Sequence, residues 1–271
     1  MTELATPESI EQPQSAGRRK LLFTAGTAAL GLVGASLIAG CGGSSSSSAA
    51  PSAGTQDDAI LNAAATAEAL AVTMYNNIIH SSLYSSGLTG NGPDKAYLEA
   101  ALEQELIHYK TLVGAGAKPL ATSFYFPHGM FGSTNADFAT TVNTLITLED
   151  AFIAAYLIGV RDLSSDSLKV LAGQIMGIEC EHRALGRVIA NDLGLGETTG
   201  LSGTPESTVP PAHAANNIAF ERTFSSALPN IAAVVTALTP FVSSSTSGYA
   251  AAPIPFSTSV TGTVVLDDNT P

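Results

Sequence analysis

The amino-acid sequence predicts an all-α fold: a four-helix bundle with one long crossover between helices two and three, then short C-terminal helices and an irregular tail. Two observations predict it. Four long segments rich in alanine and other apolar residues are separated by Gly, Pro and Ser, which end and begin helices. The connections between these segments are short, long and short. Short connections join antiparallel neighbours, whereas about 20 residues can run the whole length of a bundle.

The first segment, 57–82, has apolar residues on every side, which predicts a helix buried against several neighbours. Pro93 is well placed at the start of the second helix. Ser164 or Ser165 is expected to cap the fourth helix. The other three helices are expected at about 94–113, 137–162 and 165–193, so that the bundle as a whole covers 57–195.

The sequence after the bundle is less regular. The sequence of 196–243 predicts a polar loop followed by accessory helices. More than one short helix is expected because the apolar stretch 214–242 is interrupted at Pro229. The composition of 244–271 turns to Ser, Thr, Gly and Pro, which predicts the irregular tail.

The N-terminus has the pattern of a targeting signal. The basic run 18–20 (Arg-Arg-Lys) precedes an uncharged stretch, 21–40, that ends at Cys41. We interpret 1–40 as a twin-arginine-like export signal, Cys41 as the lipidated cysteine of a lipoprotein box, and 41–56 as a flexible Ser/Gly tether. The alternative is an uncleaved signal anchor with an incidental cysteine. Both predict a cell-envelope protein on the outer, periplasm-facing side of a bacterial membrane.

Composition narrows the classes of function. With 11 basic and 23 acidic residues and a net charge of −12, the chain has no basic surface for a phosphate backbone, so nucleic acid is not an expected partner. Gly-x-Gly-x-x-Gly and P-loop patterns are absent from the sequence, as are the paired cysteines of an iron–sulfur protein. If the protein catalyses a redox reaction, its electrons would therefore come from an external electron donor.

The second and fourth predicted helices each carry a glutamate three residues before a histidine. These pairs are Glu105 with His108 and Glu179 with His182. Residues i and i+3 lie on nearly the same face of a helix, one turn apart. A carboxylate and an imidazole placed in this way can bind one metal ion from the same side.

The first and third helices each carry a glutamate near the middle of an apolar stretch, Glu68 and Glu149. Four unpaired carboxylates facing one another inside a bundle would be very costly. Two divalent cations would neutralise them, with four carboxylates and two imidazoles as ligands. Carboxylate and imidazole ligands suit iron, manganese or zinc, so the residues alone leave the identity of the metal open.

A tyrosine follows each lone glutamate by seven residues: Tyr75 after Glu68 and Tyr156 after Glu149. Two helical turns place each tyrosine on the face of its glutamate, about 10 Å along the axis. The tyrosines either hydrogen-bond groups around the metal ligands or are amphipathic core residues whose hydroxyls find other partners. The spacing leaves both alternatives open.

This ligand pattern resembles that of the ferritin-like di-iron and di-manganese carboxylate proteins. The segments AEALAVTMY (67–75), IECEHR (178–183) and NNIAFER (216–222) further resemble a bacterial branch of ferritin-like domains related to desiccation-associated proteins. The resemblance covers roughly 57–240. It implies that the lone glutamates are terminal ligands, that the two motif glutamates bridge the metals, and that each histidine binds one metal.

Three classes of function follow from this resemblance. The first is a redox enzyme that reacts with oxygen or peroxide, such as a peroxidase or a catalase-like protein. The second is metal handling, such as ferrous iron oxidation. The third is a stress-protective, desiccation-related envelope protein whose metal site is structural or vestigial. The sequence leaves the oligomeric state open, including a homo-oligomer.

Overall fold

The computed structural model describes residues 54–195, 228–244 and 246–260 of the chain. The helices in these ranges are α1 (Gly54–Ile79), α2 (Gly92–Gly114), α3 (Asn135–Asp162), α4 (Asp166–Asp192) and α5 (Ile231–Val242). A π-helical turn, Leu83–Gly87, lies between α1 and α2, and two short strands, β1 (Ser123–Phe124) and β2 (Ile254–Pro255), pair antiparallel. The predicted all-α bundle is confirmed.

Several expectations fall on residues outside these ranges. They are the export signal, the lipidated Cys41 and most of the tether, together with segments 196–227 and 261–271. Of the accessory helices, α5 is described, and it begins just after Pro229.

Contacts between helix ends define the topology of the bundle. Asp57, near the start of α1, accepts hydrogen bonds from the backbone N–H and the hydroxyl of Ser164, just beyond the end of α3 (2.9 and 2.6 Å). Asn91, just before α2, donates to Asp192 at the end of α4 (3.2 Å). Helix α1 is therefore antiparallel to α3, and α2 to α4. Since the short connections also make α1–α2 and α3–α4 antiparallel, α2 and α3 are parallel and their connection must traverse the bundle.

The crossover, residues 115–134, runs along α1. The backbone N–H of Lys118 donates to the Asn62 side chain (2.6 Å), and that of Leu120 donates to the hydroxyl of Thr66 one turn further along (2.8 Å). Helices α2, α3 and α5 contact other sides of α1. This coverage explains why α1 is apolar all round and why alanines such as Ala65 are fully buried.

The crossover is also joined to the C-terminal segment. Strand β1 pairs with β2, the N–H of Tyr125 donates to the carbonyl of Phe241 at the end of α5, and the N–H of Ala250 donates to the carbonyl of Phe126 (both 2.8 Å). The rings of Phe126 and Phe241 meet edge to face. Part of the C-terminal tail therefore helps to hold the crossover in place.

The helix starts follow two different patterns. Thr134 and Asp137 form a reciprocal capping box at α3, with both side chains bonded to backbone N–H groups. Ser165 occupies the cap position of α4, but its hydroxyl pairs with that of Ser167 and makes no capping bond, whereas Ser164 bonds to Asp57. Ser165 is therefore the N-cap residue of α4, as expected, but this cap lacks the expected side-chain hydrogen bond.

Within the described residues, α3 is the helix long and apolar enough to span a membrane. Of the most apolar 18-residue stretch of this helix, 78% is buried inside the protein. Its apolar character is explained by its place in the core.

Helices α3 and α4 pack closely against each other at Gly186. A Cβ atom at this position would lie 2.6 Å from Leu145 Cδ2 and 2.8 Å from Ile146 Cγ1. Both neighbours are buried core side chains of α3. Gly186 therefore sets the spacing of this helix pair, one turn beyond His182.

We predict that Gly186→Ala lowers the free energy of unfolding by about 1–3 kcal/mol, because the added methyl overpacks the α3–α4 contact. The control is Gly177→Ala in the same helix, where a Cβ would meet nothing within 4 Å. This change should be neutral or stabilising by up to about 1 kcal/mol, from helix propensity. Denaturant unfolding of both variants measures the difference, and equal effects would contradict the prediction.

Candidate metal centre

The middle of the bundle contains a cluster of buried ionisable side chains. All six predicted ligands lie in it, each 0–7% exposed: Glu68, Glu105, His108, Glu149, Glu179 and His182. Helices α1 and α3 contribute one glutamate each, and α2 and α4 contribute one Glu-x-x-His pair each. The structure thus brings together the residues that the sequence pattern singled out.

One half of the cluster surrounds His108. Its Nδ1 lies 3.2 Å from Glu179 Oε1, 3.5 Å from Glu68 Oε2 and 3.5 Å from Glu105 Oε2. One ligand atom from each of these four residues can be chosen so that all lie within 4.8 Å of one another. We call this group the His108 half.

The other half surrounds His182. Its Nδ1 lies 3.0 Å from Glu105 Oε1, 3.3 Å from Glu179 Oε2 and 4.0 Å from Glu149 Oε2. The same 4.8 Å limit holds among the ligand atoms of these four residues. We call this group the His182 half.

Glu105 and Glu179 belong to both halves. Each turns one carboxylate oxygen toward His108 and the other toward His182. Glu68 belongs to the His108 half alone, and Glu149 to the His182 half alone. This is the arrangement expected of two shared ligands and two terminal ligands.

The unpaired atoms of the cluster test whether cations fit. The buried ligand atoms without a hydrogen-bond partner are Glu68 Oε2, Glu105 Oε1 and Oε2, His108 Nδ1, Glu149 Oε2 and Glu179 Oε1. Buried polar atoms are normally hydrogen-bonded, so this many unpaired ligand atoms in one place fit cations as their partners. Four carboxylates with two neutral imidazoles carry a charge that two divalent cations would balance. The cluster is compatible with a di-metal site.

Tyr75 and Tyr156 hydrogen-bond the lone glutamates, but each bonds the glutamate of the other helix. Tyr75 of α1 donates to Glu149 Oε1 of α3 (2.7 Å), and Tyr156 of α3 donates to Glu68 Oε1 of α1. Burial, followed by nearby carboxylate charge, raises the pKa of both tyrosines well above the usual range, so both remain protonated donors. Of the two alternatives, the geometry favours a role beside the ligands.

Gln104 is a residue of the site that sequence reasoning missed. Its Oε1 lies 2.9 Å from Nε2 of His182, on the side of the ring away from the carboxylates. Gln104 is adjacent to Glu105 in α2 but reaches across to α4. No local spacing rule identifies such a contact, since it depends on how the two helices pack.

An ion pair beside the ligands was also not predicted. Arg183 Nη1 lies 2.9 Å from Asp150 Oδ1, and both residues are buried. Asp150 follows Glu149, and Arg183 follows His182. The pair therefore fixes the contact of α3 with α4 at the level of the ligands, and breaking such a buried pair typically costs about 3–5 kcal/mol.

The carboxyl groups titrate differently from one another. Burial, followed by the charge of Glu179, raises the pKa of Glu105 and of Glu149 well above the usual range. Burial acts in the same direction on Glu179, but the facing rings of His108 and His182 outweigh burial and lower the pKa of this carboxyl group. In the metal-free protein, Glu179 thus stays charged at a pH where Glu105 and Glu149 still hold protons.

The two histidines hold protons more tightly than usual. Burial lowers the pKa of each ring, but the facing carboxylates outweigh burial and raise the pKa above its ordinary value, Glu68 foremost at His108 and Glu179 at His182. Protons on the histidines and on two glutamates therefore stabilise the cluster when metal is absent. Metal binding must displace these protons.

A four-helix bundle whose centre gathers four glutamates and two histidines defines a class of helical proteins with a core suited to a pair of metal ions. Comparison with protein families identifies the family to which this bundle belongs. Residues 56–192, just over half of the chain, match the family described as Ferritin-like domain, and the chain belongs to this family. No curated protein matches the chain significantly.

We predict that the metal-free protein loses stability as pH rises from about 5 to 8. Groups whose pKa is raised by folding stabilise the protein below their unfolded values, 4.5 for Glu and 6.5 for His, and this contribution disappears as pH rises through the folded values. The lowered pKa of Glu179 acts in the opposite direction, but its effect is confined to pH below its usual value of 4.5. Each unit of pKa difference corresponds to about 1.4 kcal/mol, or roughly 3–5 °C in Tm for a domain of this size.

Thermal unfolding with and without Mn²⁺ across this pH range measures the effect. The gap in Tm between the two forms should widen with pH, since the metal replaces the lost protons. In the Glu105→Gln variant, which has one carboxylate fewer, the metal-free curve should be flatter. A gap that stays constant or narrows toward high pH would show that the cluster does not exchange protons for metal.

Proposed function

We propose that this chain is an exported, lipid-anchored ferritin-like protein that binds two divalent metal ions, iron or manganese, for redox chemistry with oxygen or peroxide or for oxidation of ferrous iron. One observation carries the metal site: six buried ligand atoms without hydrogen-bond partners face one another in two groups that share Glu105 and Glu179. A cluster assembled only for structure would be expected to pair its own polar atoms.

The residues of the cluster have distinct tasks in this proposal. Glu68 and His108 would hold one ion, Glu149 and His182 the other, and Glu105 and Glu179 would be shared. When bound, a pair of redox-active metals supplies reversible electron transfer to a small oxidant, and an external donor would restore the reduced state.

The surroundings support such chemistry. The tyrosine bonds orient the two lone carboxylates and keep a proton at each phenolic oxygen, next to a ligand. The helices that carry the ligands form a core in which side chains such as Met74 and Phe152 are fully buried, so bulk water is excluded from it.

The proposed location rests on the N-terminal sequence. The basic run 18–20, the apolar stretch 21–40 and Cys41 support export followed by attachment of a lipid to the cysteine. Export in the folded state would favour loading of the metal before translocation.

A second candidate is a stress-protective, desiccation-related envelope protein in which the metal is structural. The same burial favours it: neutralising four buried carboxylates would supply folding free energy whether or not the metals react. The two candidates make different predictions about turnover.

We predict that the full chain, purified in detergent, contains two metal ions per chain, and that Glu105→Ala and Glu179→Ala each lose both, because each removes a shared ligand. Elemental analysis measures the content. The matched control is Glu181→Ala, an exposed acid of α4 two residues from Glu179, which should keep both ions. Metal content near zero in the wild type, or unchanged in the two ligand variants, would contradict the proposal.

Turnover separates the two candidates. The metal-loaded wild type should consume hydrogen peroxide, or oxygen with Fe²⁺, whereas the ligand variants should be inactive. If the loaded protein shows a raised Tm but consumes neither oxidant, the structural candidate is supported.

We predict that Cys41→Ser moves the protein from the membrane fraction to the soluble fraction and abolishes labelling by a radioactive fatty acid, because the thiol is the acceptor of the lipid. Cys180→Ser, at a partly buried position in α4, is the control and should change neither result. If the Cys41→Ser protein stays in the membrane, the N-terminal segment is an uncleaved anchor instead.

A further inference from the structure

We infer that the two halves of the centre are unequal: the His182 half binds its metal first and retains it, and the His108 half holds the weaker, exchangeable ion. This inference rests on the proposed binding of two metals. It concerns the order of binding, which neither the ligand pattern nor the family assigns.

The first observation is the support behind His182. Gln104 accepts a hydrogen bond from Nε2 of this ring at 2.9 Å. A proton fixed on Nε2 leaves Nδ1 with its lone pair toward the carboxylates, in the tautomer that a metal requires. Gln104 therefore fixes both the orientation of the His182 ring and the ring nitrogen that carries the proton.

The second observation is packing. The ring of Tyr75 meets the His182 ring edge to face, with centroids 5.6 Å apart, and the hydroxyl of the same tyrosine holds Glu149. One tyrosine thus restrains both the terminal glutamate and the histidine of the His182 half.

His108 lacks this support. Among the described residues, its ring has no hydrogen-bond partner outside the ligand cluster, and its Nδ1 has none at all. It is also the most exposed of the six ligands, at 7%. The His108 ring is therefore less constrained and lies nearest to solvent.

The carboxylate ligands of the two halves are matched. Each has one lone glutamate bonded by a tyrosine, and both share Glu105 and Glu179. Among the ligands themselves, the difference thus lies in the two histidines and their surroundings. Partners of this kind typically change metal affinity by about 10–100-fold, so the two ions should differ by a similar factor.

The consequence is a division of roles. An ion in the His182 half would remain bound and neutralise part of the carboxylate charge. The His108 half would take up and release the second ion, from the side where the cluster is closest to solvent.

Titration of the metal-free full chain with Co²⁺ tests this inference, because bound Co²⁺ is followed by its visible absorption and by direct metal analysis, without any turnover. We expect two steps, one ion per step, with affinities separated by about tenfold or more. His182→Ala should abolish the tight step. His108→Ala should abolish the weak step and leave the tight one.

Variants at Gln104 test the cause. Gln104→Leu removes the acceptor and should weaken the tight step by about 10–100-fold with little change in the weak one. Gln104→Glu keeps an acceptor at the same place and should retain the tight step. A purely structural role for Gln104 would not separate these two variants.

Three results would overturn the inference: both ions binding in one cooperative step, His108→Ala removing the tight step, or Gln104→Leu leaving both affinities unchanged. Failure of the proposed function looks different, because the wild type would then bind no Co²⁺ at this cluster at all.

Discussion

The electrostatic repulsion among four buried carboxylates is the constraint on which the rest of this structure depends. No apolar packing around Glu68, Glu105, Glu149 and Glu179 can remove it, because an unneutralised charge in a protein interior costs several kcal/mol even after relaxation. The protein meets this cost with protons, with two histidines and with tyrosine hydrogen bonds. These interactions still leave several carboxylate oxygens and one histidine nitrogen without hydrogen-bond partners. The unpaired atoms make the cluster suited to cations.

The bundle topology makes this cluster possible. The four ligand-bearing helices present their middles at one height, and the crossover carries the chain from the end of the bundle where α2 stops to the opposite end, where α3 begins. Its bonds to Asn62 and Thr66 hold it along α1, and its pairing with β2 ties it to the C-terminal segment. The Asp150–Arg183 pair and the close approach at Gly186 then set α4 against α3 near the ligands.

Much of this arrangement could be predicted from the sequence, because helical periodicity and i+3 spacing are local properties of the chain. The four helices and the meeting of the six ligand residues follow from them. Gln104, Arg183 and the short strands could not be found in this way, since their partners lie on distant elements and their contacts depend on helix rotation. The crossed tyrosine hydrogen bonds could not be predicted for the same reason. The sequence shows the spacing of Tyr75 and Tyr156 from the glutamates of their own helices, but the antiparallel packing of α1 and α3 determines which glutamate each tyrosine bonds.

These crossed bonds also couple the assembly of the centre to the completion of folding. Each phenol belongs to one hairpin and its glutamate to the other, so neither hairpin alone can satisfy its own carboxylate. The hairpins must dock before the ligand set is oriented, and a half-folded chain would offer only scattered, poorly directed ligands. Binding of two cations by all six ligands would therefore require the two hairpins to be docked already.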